Sequence, residues 1–460
     1  MNTQQSILIR NADIVNEGSI TNGDVLIRHG RIDRIDRTVS AEADIEIDAH
    51  GKALLPGMID CHVHFREPGL THKADMASES AAAVAGGVTS VMEMPNTSPP
   101  AVTNERLEDK FSIAAEKMIT NYSFYLGASL NNLDEVKAVD SRNVCGVKVY
   151  MGSTTGDMLV DRFQTLEDLF RECPINLTTH CEDTRIISAN EKKCREQYGD
   201  DVPFPAHPLI RSREACFQSS QVAIELARKY ETKLHLLHIS TADELNLFDS
   251  SIVRVGTARE NECFIEEQGK NITGEACVHH LFFDDSAYDR KGALIKCNPA
   301  IKTAADREAL LKALVTDRLD TIGTDHAPHT LEEKQRPYWT APSGIPVIQS
   351  ALPSVLEHFY NGILSLELIA EKTAHNPARI FNLEDRGFIR EGGWADLTLI
   401  DLNRPHTVTK DNILYKCGWS PFEGTTFHSS VDTTIVSGQI AWQKNAPRAT
   451  CRGHRLVFNR

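Results

Sequence analysis

The chain is 460 residues long and acidic, with a formal net charge of −15 at pH 7 and 41% hydrophobic residues. This charge disfavours nucleic acid or an anionic membrane as the main partner. No stretch approaches the ~20 apolar residues of a membrane span, and the first residues lack the basic start and long apolar run of a secretory signal. Eleven cysteines without a Cys-x-x-Cys pair are typical of reduced thiols. We therefore expect a cytoplasmic protein.

The two ends of the chain share a strand-like pattern. Residues 6–48 alternate apolar and polar side chains, with turn signals at Asn22-Gly23 and His29-Gly30. Residues 393–443 show the same alternation. We predict a small β-sandwich assembled from both termini, with the rest of the chain inserted between its halves. The predicted domains are 1–55 and 388–460 for the sandwich and 56–387 for the central part.

The central part alternates strand-like and helix-like segments. Eight short apolar or β-branched runs predict buried parallel strands, at residues 58–62, 88–94, 122–126, 144–150, 175–180, 233–238, 272–278 and 319–324. Helix-like stretches, such as residues 213–230, separate most of these runs. Eight such repeats predict a closed (β/α)₈, or TIM, barrel, whose chemistry lies at the C-terminal ends of the strands.

Residue types that bind metals lie at or near the ends of these runs. His62 and His64 are two residues apart in an extended segment, so their side chains project from one face and can share an ion. The later candidates are Lys148, His180, His238 and Asp325. One histidine at a strand end is more often a surface or core residue. Together, in strand order around one rim, these positions predict a metal site.

Lys148 is unusual because it lies in the apolar run 144–150. An unpaired buried ammonium is costly, although an isolated lysine of this kind is more often one that reaches the surface. Cys61 and Cys181 adjoin the candidate ligands, but strand alternation turns them to the opposite face. We therefore do not expect either cysteine to be a ligand.

Together these residues resemble the amidohydrolase superfamily, in its cyclic-amidase branch with a binuclear metal centre. Within that branch the chain resembles the class I dihydroorotase family. The motifs that carry this second resemblance are His62-Val63-His64-Phe65-Arg66-Glu67-Pro68-Gly69, Met94-Pro95-Asn96-Thr97, Cys297-Asn298-Pro299 and Thr324-Asp325-His326-Ala327-Pro328-His329. The resemblance extends over residues 7–441.

The resemblance implies a centre of two divalent metal ions. It assigns His62, His64 and Asp325 to one ion, and His180 and His238 to the other. Lys148, carboxylated by carbon dioxide, would bridge the two. Zinc suits this set of imidazole and oxygen ligands, and manganese, cobalt or iron fit it as well. A hydroxide bridging the ions would attack an amide carbonyl, with Asp325 as general base and then general acid.

The resemblance also implies a reaction and a set of substrate contacts. The reaction is the reversible cyclisation of N-carbamoyl-L-aspartate to L-dihydroorotate in pyrimidine biosynthesis. Arg66, Asn96 and His329 would bind the substrate carboxylate, and Asn298 would recognise the ring amide. Residues 341–346 resemble a segment that covers the substrate. A homodimer is compatible with the resemblance.

Several alternatives remain open at this point. Arg66 could instead form a structural salt bridge with Glu67 or Asp75. The chain could be another cyclic amidase, such as a hydantoinase, a dihydropyrimidinase or an allantoinase, which act on rings without that carboxylate. It could also be a non-catalytic scaffold of the superfamily, although none of its ligand positions is lost. The connection at residues 249–270 is longer and more polar than is usual in the family.

Overall fold

The computed structural model describes residues 5–152, 158–249, 270–448 and 450–460, so most of the long connection at 249–270 lies outside the described residues. The strands of the N-terminal region are β1 (Ile7–Asn16), β2 (Ser19–Arg28), β3 (Arg31–Asp36), β4 (Ile45–Asp48) and β5 (Ala53–Pro56). The central strands are β6 (Met58–Val63), β7 (Val88–Glu93), β8 (Asn121–Gly127), β9 (Gly146–Tyr150), β10 (Leu177–His180), β11 (Leu234–Leu236), β12 (Ile272–Cys277) and β13 (Thr321–Gly323). The last strands are β14 (Leu397–Asp401), β15 (His406–Thr407), β16 (Thr426–Phe427), β17 (Ser430–Val436), β18 (Gln439–Gln443) and β19 (Ala446–Pro447).

The helices lie mainly between the central strands. The first are α1 (Met76–Ala85), α2 (Asn104–Lys117), α3 (Leu133–Lys137), α4 (Phe163–Glu172), α5 (Thr184–Tyr198), α6 (His207–Ile210) and α7 (Arg213–Tyr230). The others are α8 (Val278–Phe282), α9 (Tyr288–Lys291), α10 (Ala304–Val315), α11 (Leu331–Lys334), α12 (Ala351–Tyr360), α13 (Leu366–Ala370) and α14 (Asn376–Phe381). Among the residues described, no helix combines the length and apolar character needed to cross a bilayer.

The strands β6 to β13 form an eight-stranded parallel sheet in chain order. The first and last strands meet where the His64 amide donates to the His326 carbonyl at 2.8 Å. Beside this contact, buried Asp60 accepts hydrogen bonds from the Thr324 hydroxyl (2.5 Å) and the Thr324 amide (3.1 Å). This strand order confirms the predicted eight strands and the (β/α)₈ barrel. The strands read as apolar runs in the sequence because both faces of the sheet are buried.

The terminal regions form a nine-stranded sheet of order β19-β18-β17-β14-β5-β1-β2-β3, with β4 also paired to β1. Side chains from both ends of the chain, including Ile9, Val25 and Leu397, pack into one cluster, so this sheet folds over a core of its own. The predicted β-sandwich is confirmed. The boundaries predicted at 55/56 and 387/388 stay predictions.

One of the two predicted N-terminal turns is wrong. His29 and Gly30 form the predicted turn, both with positive φ (52° and 80°), as a tight hairpin between β2 and β3 requires. Asn22-Gly23 instead lies inside β2, and the turn before β2 is at Glu17-Gly18. Gly23 is needed because a Cβ there would lie 2.7 Å from the Asp36 carbonyl oxygen of the neighbouring strand.

The last residues of the chain leave the sandwich and pack against the barrel. The Leu456 amide donates to the Tyr122 carbonyl, and the Phe458 amide donates to the Arg142 carbonyl, both at 2.9 Å. Leu456 and Phe458 join a cluster of buried residues that includes Ile59 of β6. The C-terminal tail therefore closes the end of the barrel opposite the C-terminal strand ends.

A buried polar network connects the sandwich to the barrel. Arg386 and Asp396 form an ion pair with both side chains less than 5% exposed. The other Asp396 oxygen accepts from Asn121 of the barrel (2.9 Å) and from the Ser437 amide of the sandwich (2.7 Å). Removing one partner of such a pair leaves a buried charge without compensation.

We predict that Asp396→Ala lowers the free energy of unfolding by about 3–5 kcal/mol, because Arg386 then remains charged and buried. Urea unfolding followed by tryptophan fluorescence measures this change. The matched control is Asp36→Ala, which breaks an exposed pair with Arg34; its cost should stay within about 1 kcal/mol. A cost for Asp396→Ala equal to that of the control would contradict the structural role of the network.

Candidate metal centre and substrate cavity

A cavity of about 280 Å³ lies at the C-terminal ends of the barrel strands. The structure brings all ten sequence-predicted site residues to its wall: His62, His64, Arg66, Asn96, Lys148, His180, His238, Asn298, Asp325 and His329. Tyr150 and residues 342–344 also line it. Side chains from separate strands thus face one enclosed volume.

His62, His64 and Asp325 form the first cluster of candidate ligands. The Nε2 atoms of the two histidines lie 3.1 and 3.0 Å from Asp325 Oδ1. All three side chains are buried and offer ligand atoms within 4.8 Å of one another. Burial raises the pKa of Asp325, but the adjacent imidazoles of His62 and His64 outweigh it and hold the pKa well below its usual value. An ionised carboxylate between two imidazoles is a donor set that suits a divalent cation.

His180 and His238 form a second cluster, with His180 Nδ1 2.9 Å from His238 Nε2. The other nitrogen of His180, Nε2, donates to buried Glu182 at 3.0 Å. This hydrogen bond keeps the proton on Nε2 and leaves the Nδ1 lone pair free for an ion. Arg211 in turn donates to Glu182 at 2.8 Å. Sequence reasoning missed Glu182, since an acidic residue two positions after a histidine has no distinctive signal.

The first two histidines are held from behind in the same way. Glu275 of β12 accepts from His62 Nδ1 at 2.9 Å, and Asn96 Oδ1 accepts from His64 Nδ1 at 2.7 Å. Sequence reasoning missed Glu275, although a glutamate within the apolar run 272–278 is a signal that could have found it. Each rear hydrogen bond fixes a ring orientation and leaves Nε2 directed toward Asp325.

Lys148 lies in the middle of β9 and is buried. Within the described part of the chain its ammonium has neither a hydrogen bond nor an ion pair, and its nearest notable neighbour is the Tyr150 ring at 4.7 Å. Burial lowers the pKa of Lys148 to about 7. An unpaired buried amine beside a cluster of candidate metal ligands is the environment that a carboxylated lysine would satisfy.

Three residues of the site have left-handed backbone conformations. The φ angles of Arg66, His238 and Asp325 are 66°, 40° and 46°. Such conformations are unfavourable for residues other than glycine and occur where function requires them. Here they end the strand pairing and place side chains on the cavity wall.

Arg66 does not form the structural salt bridge that the sequence left open. Glu67 pairs with Lys117, and Asp75 pairs with Lys416 at 2.7 Å. Among the residues described, Arg66 has no carboxylate partner, and its Nε donates to the Pro328 carbonyl at 3.1 Å. A buried guanidinium on the cavity wall is therefore available to a carboxylate ligand.

Asn298 also faces the cavity with unused bonding capacity. Its Oδ1 is buried and has no hydrogen-bond partner within the described structure. A buried amide oxygen left unpaired is costly, so a ligand that donates a hydrogen bond would be stabilising at this position.

Two buried lysines hold the segment that covers the cavity. Lys334 Nζ donates to the carbonyl oxygens of Lys296 (3.0 Å), Pro342 (2.9 Å) and Gly344 (2.9 Å). Lys296 Nζ donates to the carbonyls of Tyr338 and Ala341 at 2.6 and 2.7 Å. These bonds fix residues 338–344, part of which resembles a substrate-covering segment, over the cavity.

The fold and the donor groups of the cavity define a barrel enzyme of the hydrolase class. The Amidohydrolase family model matches residues 53–441. Dihydroorotases of Methanothermobacter thermautotrophicus and Methanosphaera stadtmanae are 33% and 32% identical to the chain, over 92% of it and over 89% and 93% of their own lengths. Among solved structures, the L-hydantoinase (dihydropyrimidinase) of Arthrobacter aurescens matches with a TM-score of 0.87 and 26% identity, covering 96% of this chain and 97% of that one.

The chain belongs to the amidohydrolase family, and it is a hydrolase that acts on cyclic amides. The resemblance found in the sequence motifs is thereby confirmed. The role of each individual site residue stays a prediction.

We predict that Lys334→Met loosens the covering segment, because it leaves buried carbonyl oxygens without a donor. The loss should lower the free energy of unfolding by about 2–3 kcal/mol and expose residues 338–344 to proteolysis. Limited proteolysis with mass spectrometry of the fragments measures the second effect. The control is Lys312→Met on the exposed face of α10, which should change neither. Unchanged proteolysis in Lys334→Met would show that Lys334 does not hold residues 338–344 in place.

Proposed function

We propose that this chain is a dihydroorotase, which interconverts N-carbamoyl-L-aspartate and L-dihydroorotate in pyrimidine biosynthesis. The observation that carries the proposal is Arg66, a buried cation without a carboxylate partner in the described structure, on the wall that also holds the candidate metal ligands. The dihydroorotase relatives, at about one-third identity over most of the chain, support the same assignment.

The donor set fits a centre of two divalent ions, for which zinc is well suited. His62, His64 and Asp325 would hold one ion, and His180 and His238 the other, with Lys148 as a carbamate between them. When bound, the ions supply Lewis-acid polarisation of the scissile carbonyl and lower the pKa of the attacking water. The hydrogen bonds that the imidazoles donate to Glu275, Asn96 and Glu182 keep the rings in the ligating tautomer.

Carboxylation of Lys148 requires the neutral amine. Its nitrogen attacks the carbon of carbon dioxide, and one proton is released as the carbamate anion forms. Burial lowers the pKa of Lys148 to about 7, so a substantial share of the side chain is neutral amine near neutral pH. The product is an anion, whose charge the bound ions would neutralise, so that neither an unpaired ammonium nor an unpaired anion remains buried.

Asp325 is suited to the proton transfers. The imidazoles of His62 and His64 hold its pKa well below the usual value, so it is ionised at neutral pH. As the carboxylate of the first cluster it would accept a proton from the attacking water. It then passes that proton to the ring nitrogen that leaves as the amide bond breaks. In the reverse direction, closure converts one of two substrate carboxylates into an uncharged carbonyl and consumes a proton, so lower pH favours the ring.

Substrate recognition follows from the donors and acceptors on the wall. Arg66 and His329 would bind the carboxylate that remains on the ring, and Asn96 would contribute its amide beside them. The unpaired Oδ1 of Asn298 would accept from a ring N–H. Residues 342–344 also line this volume and would contact a bound substrate.

A hydantoinase or dihydropyrimidinase activity is the second candidate, favoured by the match to the Arthrobacter aurescens structure. Those substrates would leave Arg66 without a partner. A non-catalytic scaffold is disfavoured, since all the candidate ligands line the cavity. The proposal includes a cytoplasmic location, supported by ten free cysteines in the described residues. A homodimer stays a prediction.

Zinc-loaded protein should open the ring of L-dihydroorotate far faster than hydantoin, dihydrouracil or allantoin, as measured by ultraviolet absorbance. Asp325→Ala should abolish turnover, because the proton acceptor and a metal ligand are lost together. Arg66→Ala should raise KM for dihydroorotate by about 10- to 100-fold, the loss expected for a charged hydrogen bond. Preference of the wild type for uncharged rings would reject dihydroorotase and retain the cyclic-amidase class.

Removing metal with a chelator in buffer free of carbon dioxide should abolish turnover. We expect recovery only when zinc and bicarbonate are supplied together, because Lys148 must be carboxylated to bridge the ions. Metal analysis of Lys148→Ala should find less bound zinc than in the wild type. Wild type supplied with zinc alone is the control, and its full recovery would argue against a carbamate.

A further inference from the structure

Lys73 lies in the loop between β6 and α1 and contacts His329, which lines the cavity. Its Nζ is 3.0 Å from His329 Nδ1 and 3.3 Å from Glu333. Its side chain is 14% exposed, so it is largely withdrawn from water. Sequence analysis gave this residue no role.

His329 has four polar neighbours, and they determine which of its ring nitrogens carries the proton. Besides Lys73, its Nδ1 has Glu333 at 3.5 Å. Its Nε2 lies 3.1 Å from the Ser343 carbonyl oxygen and 3.1 Å from Arg66 Nη2. An ammonium only donates and a carbonyl only accepts, so the neighbours distinguish the two tautomers.

With the proton on Nε2, both short contacts are hydrogen bonds: Lys73 donates to Nδ1, and Nε2 donates to the Ser343 carbonyl. With the proton on Nδ1, that N–H points at the Lys73 ammonium 3.0 Å away, which cannot accept it. The acceptor for Nδ1–H is then Glu333, at 3.5 Å. The Ser343 carbonyl then has no donor from the ring. Each arrangement gives the ring two hydrogen bonds, but those of the first are shorter (3.0 and 3.1 Å against 3.1 and 3.5 Å), and the first avoids an N–H directed at the Lys73 ammonium.

The tautomer of His329 decides whether Arg66 Nη2 has an acceptor in the pocket. When Nε2 is protonated, Arg66 Nη2 and His329 Nε2 are two donors 3.1 Å apart, and neither can accept from the other. A carboxylate oxygen can accept from Arg66 and share the Nε2 proton of His329 with the Ser343 carbonyl, which removes the conflict between the two donors. When Nδ1 is protonated, Nε2 accepts from Arg66, and the pocket satisfies itself without a ligand.

We propose that Lys73 is a positioning residue that holds His329 in the Nε2-protonated tautomer and so keeps Arg66 and His329 open to an anionic ring substrate. The assignment rests on the proposed function for the identity of that substrate, L-dihydroorotate. Lys73 itself acts through His329 and does not need to touch the substrate. Glu333, within reach of both, balances the added charge.

Lys73→Met removes the donor at similar chain length, and Lys73→Arg retains a donor. With zinc-loaded protein, Lys73→Met should raise KM for L-dihydroorotate by about 10- to 100-fold while kcat changes by less than about threefold. Lys73→Arg should restore KM to within about threefold of the wild type. The matched control is Lys416→Met, which removes a lysine paired to Asp75 outside the cavity and should leave both constants unchanged.

A second measurement reads the tautomer directly. Long-range ¹H–¹⁵N correlation spectra of histidine-labelled protein should show His329 protonated at Nε2 in the wild type and shifted toward Nδ1 in Lys73→Met, with His329→Gln identifying the signal. Nδ1 protonation in the wild type, or an unchanged KM in Lys73→Met, would overturn the proposal. Failure of the wild type to turn over dihydroorotate would reject the proposed function instead, and the tautomer would still decide the role of Lys73.

Discussion

The site depends on the closure of the barrel between its first and last strands. Asp60 binds the hydroxyl and amide of Thr324, and the His64 amide binds the His326 carbonyl, so β6 and β13 are fixed at the rim. This contact brings Asp325 to within 3.1 Å of both His62 and His64. Residues more than 250 positions apart thereby become one ligand cluster. Without closure there would be two histidines on one strand and an isolated carboxylate on another.

Buried carboxylates and a buried guanidinium both lie around the cavity. Carboxylates lie behind the imidazoles, where Glu275 and Glu182 orient His62 and His180. The cationic group Arg66 lies on the cavity wall, where it contacts His329. In a chain with a net charge of −15, an anionic substrate is bound only where positive charge is concentrated in this way.

The strands, and the side chains that would line the cavity, could be predicted because parallel barrel strands are buried on both faces and read as apolar runs, with polar residues at their C-terminal ends. The predicted run 319–324 is nevertheless longer than β13, which spans only Thr321–Gly323, and the positive φ of Asp325 just beyond it is a conformation that no residue pattern predicts. The turn predicted at Asn22-Gly23 is wrong because Gly23 allows two backbones to approach closely inside the sheet and does not form a turn. Partners such as Glu182 depend on three-dimensional neighbours that the sequence does not place together.

Specificity cannot reside in the fold, because a hydantoinase structure matches this barrel with a TM-score of 0.87. It must therefore lie in side chains that line the cavity, and under the proposed function Arg66 is the one that would distinguish a carboxylated ring from an uncharged one. A buried guanidinium is unfavourable until a carboxylate pairs with it. A complex with an uncharged ring therefore keeps the desolvation cost of Arg66, whereas a ring that carries a carboxylate would pair with Arg66 and offset that cost. Sites built to bind one polar group discriminate by about 10⁴ to 10⁵ against analogues that lack it. His329 lies beside Arg66, and under the proposed function its Nε2–H would give the same carboxylate a second donor without any change in the candidate metal ligands.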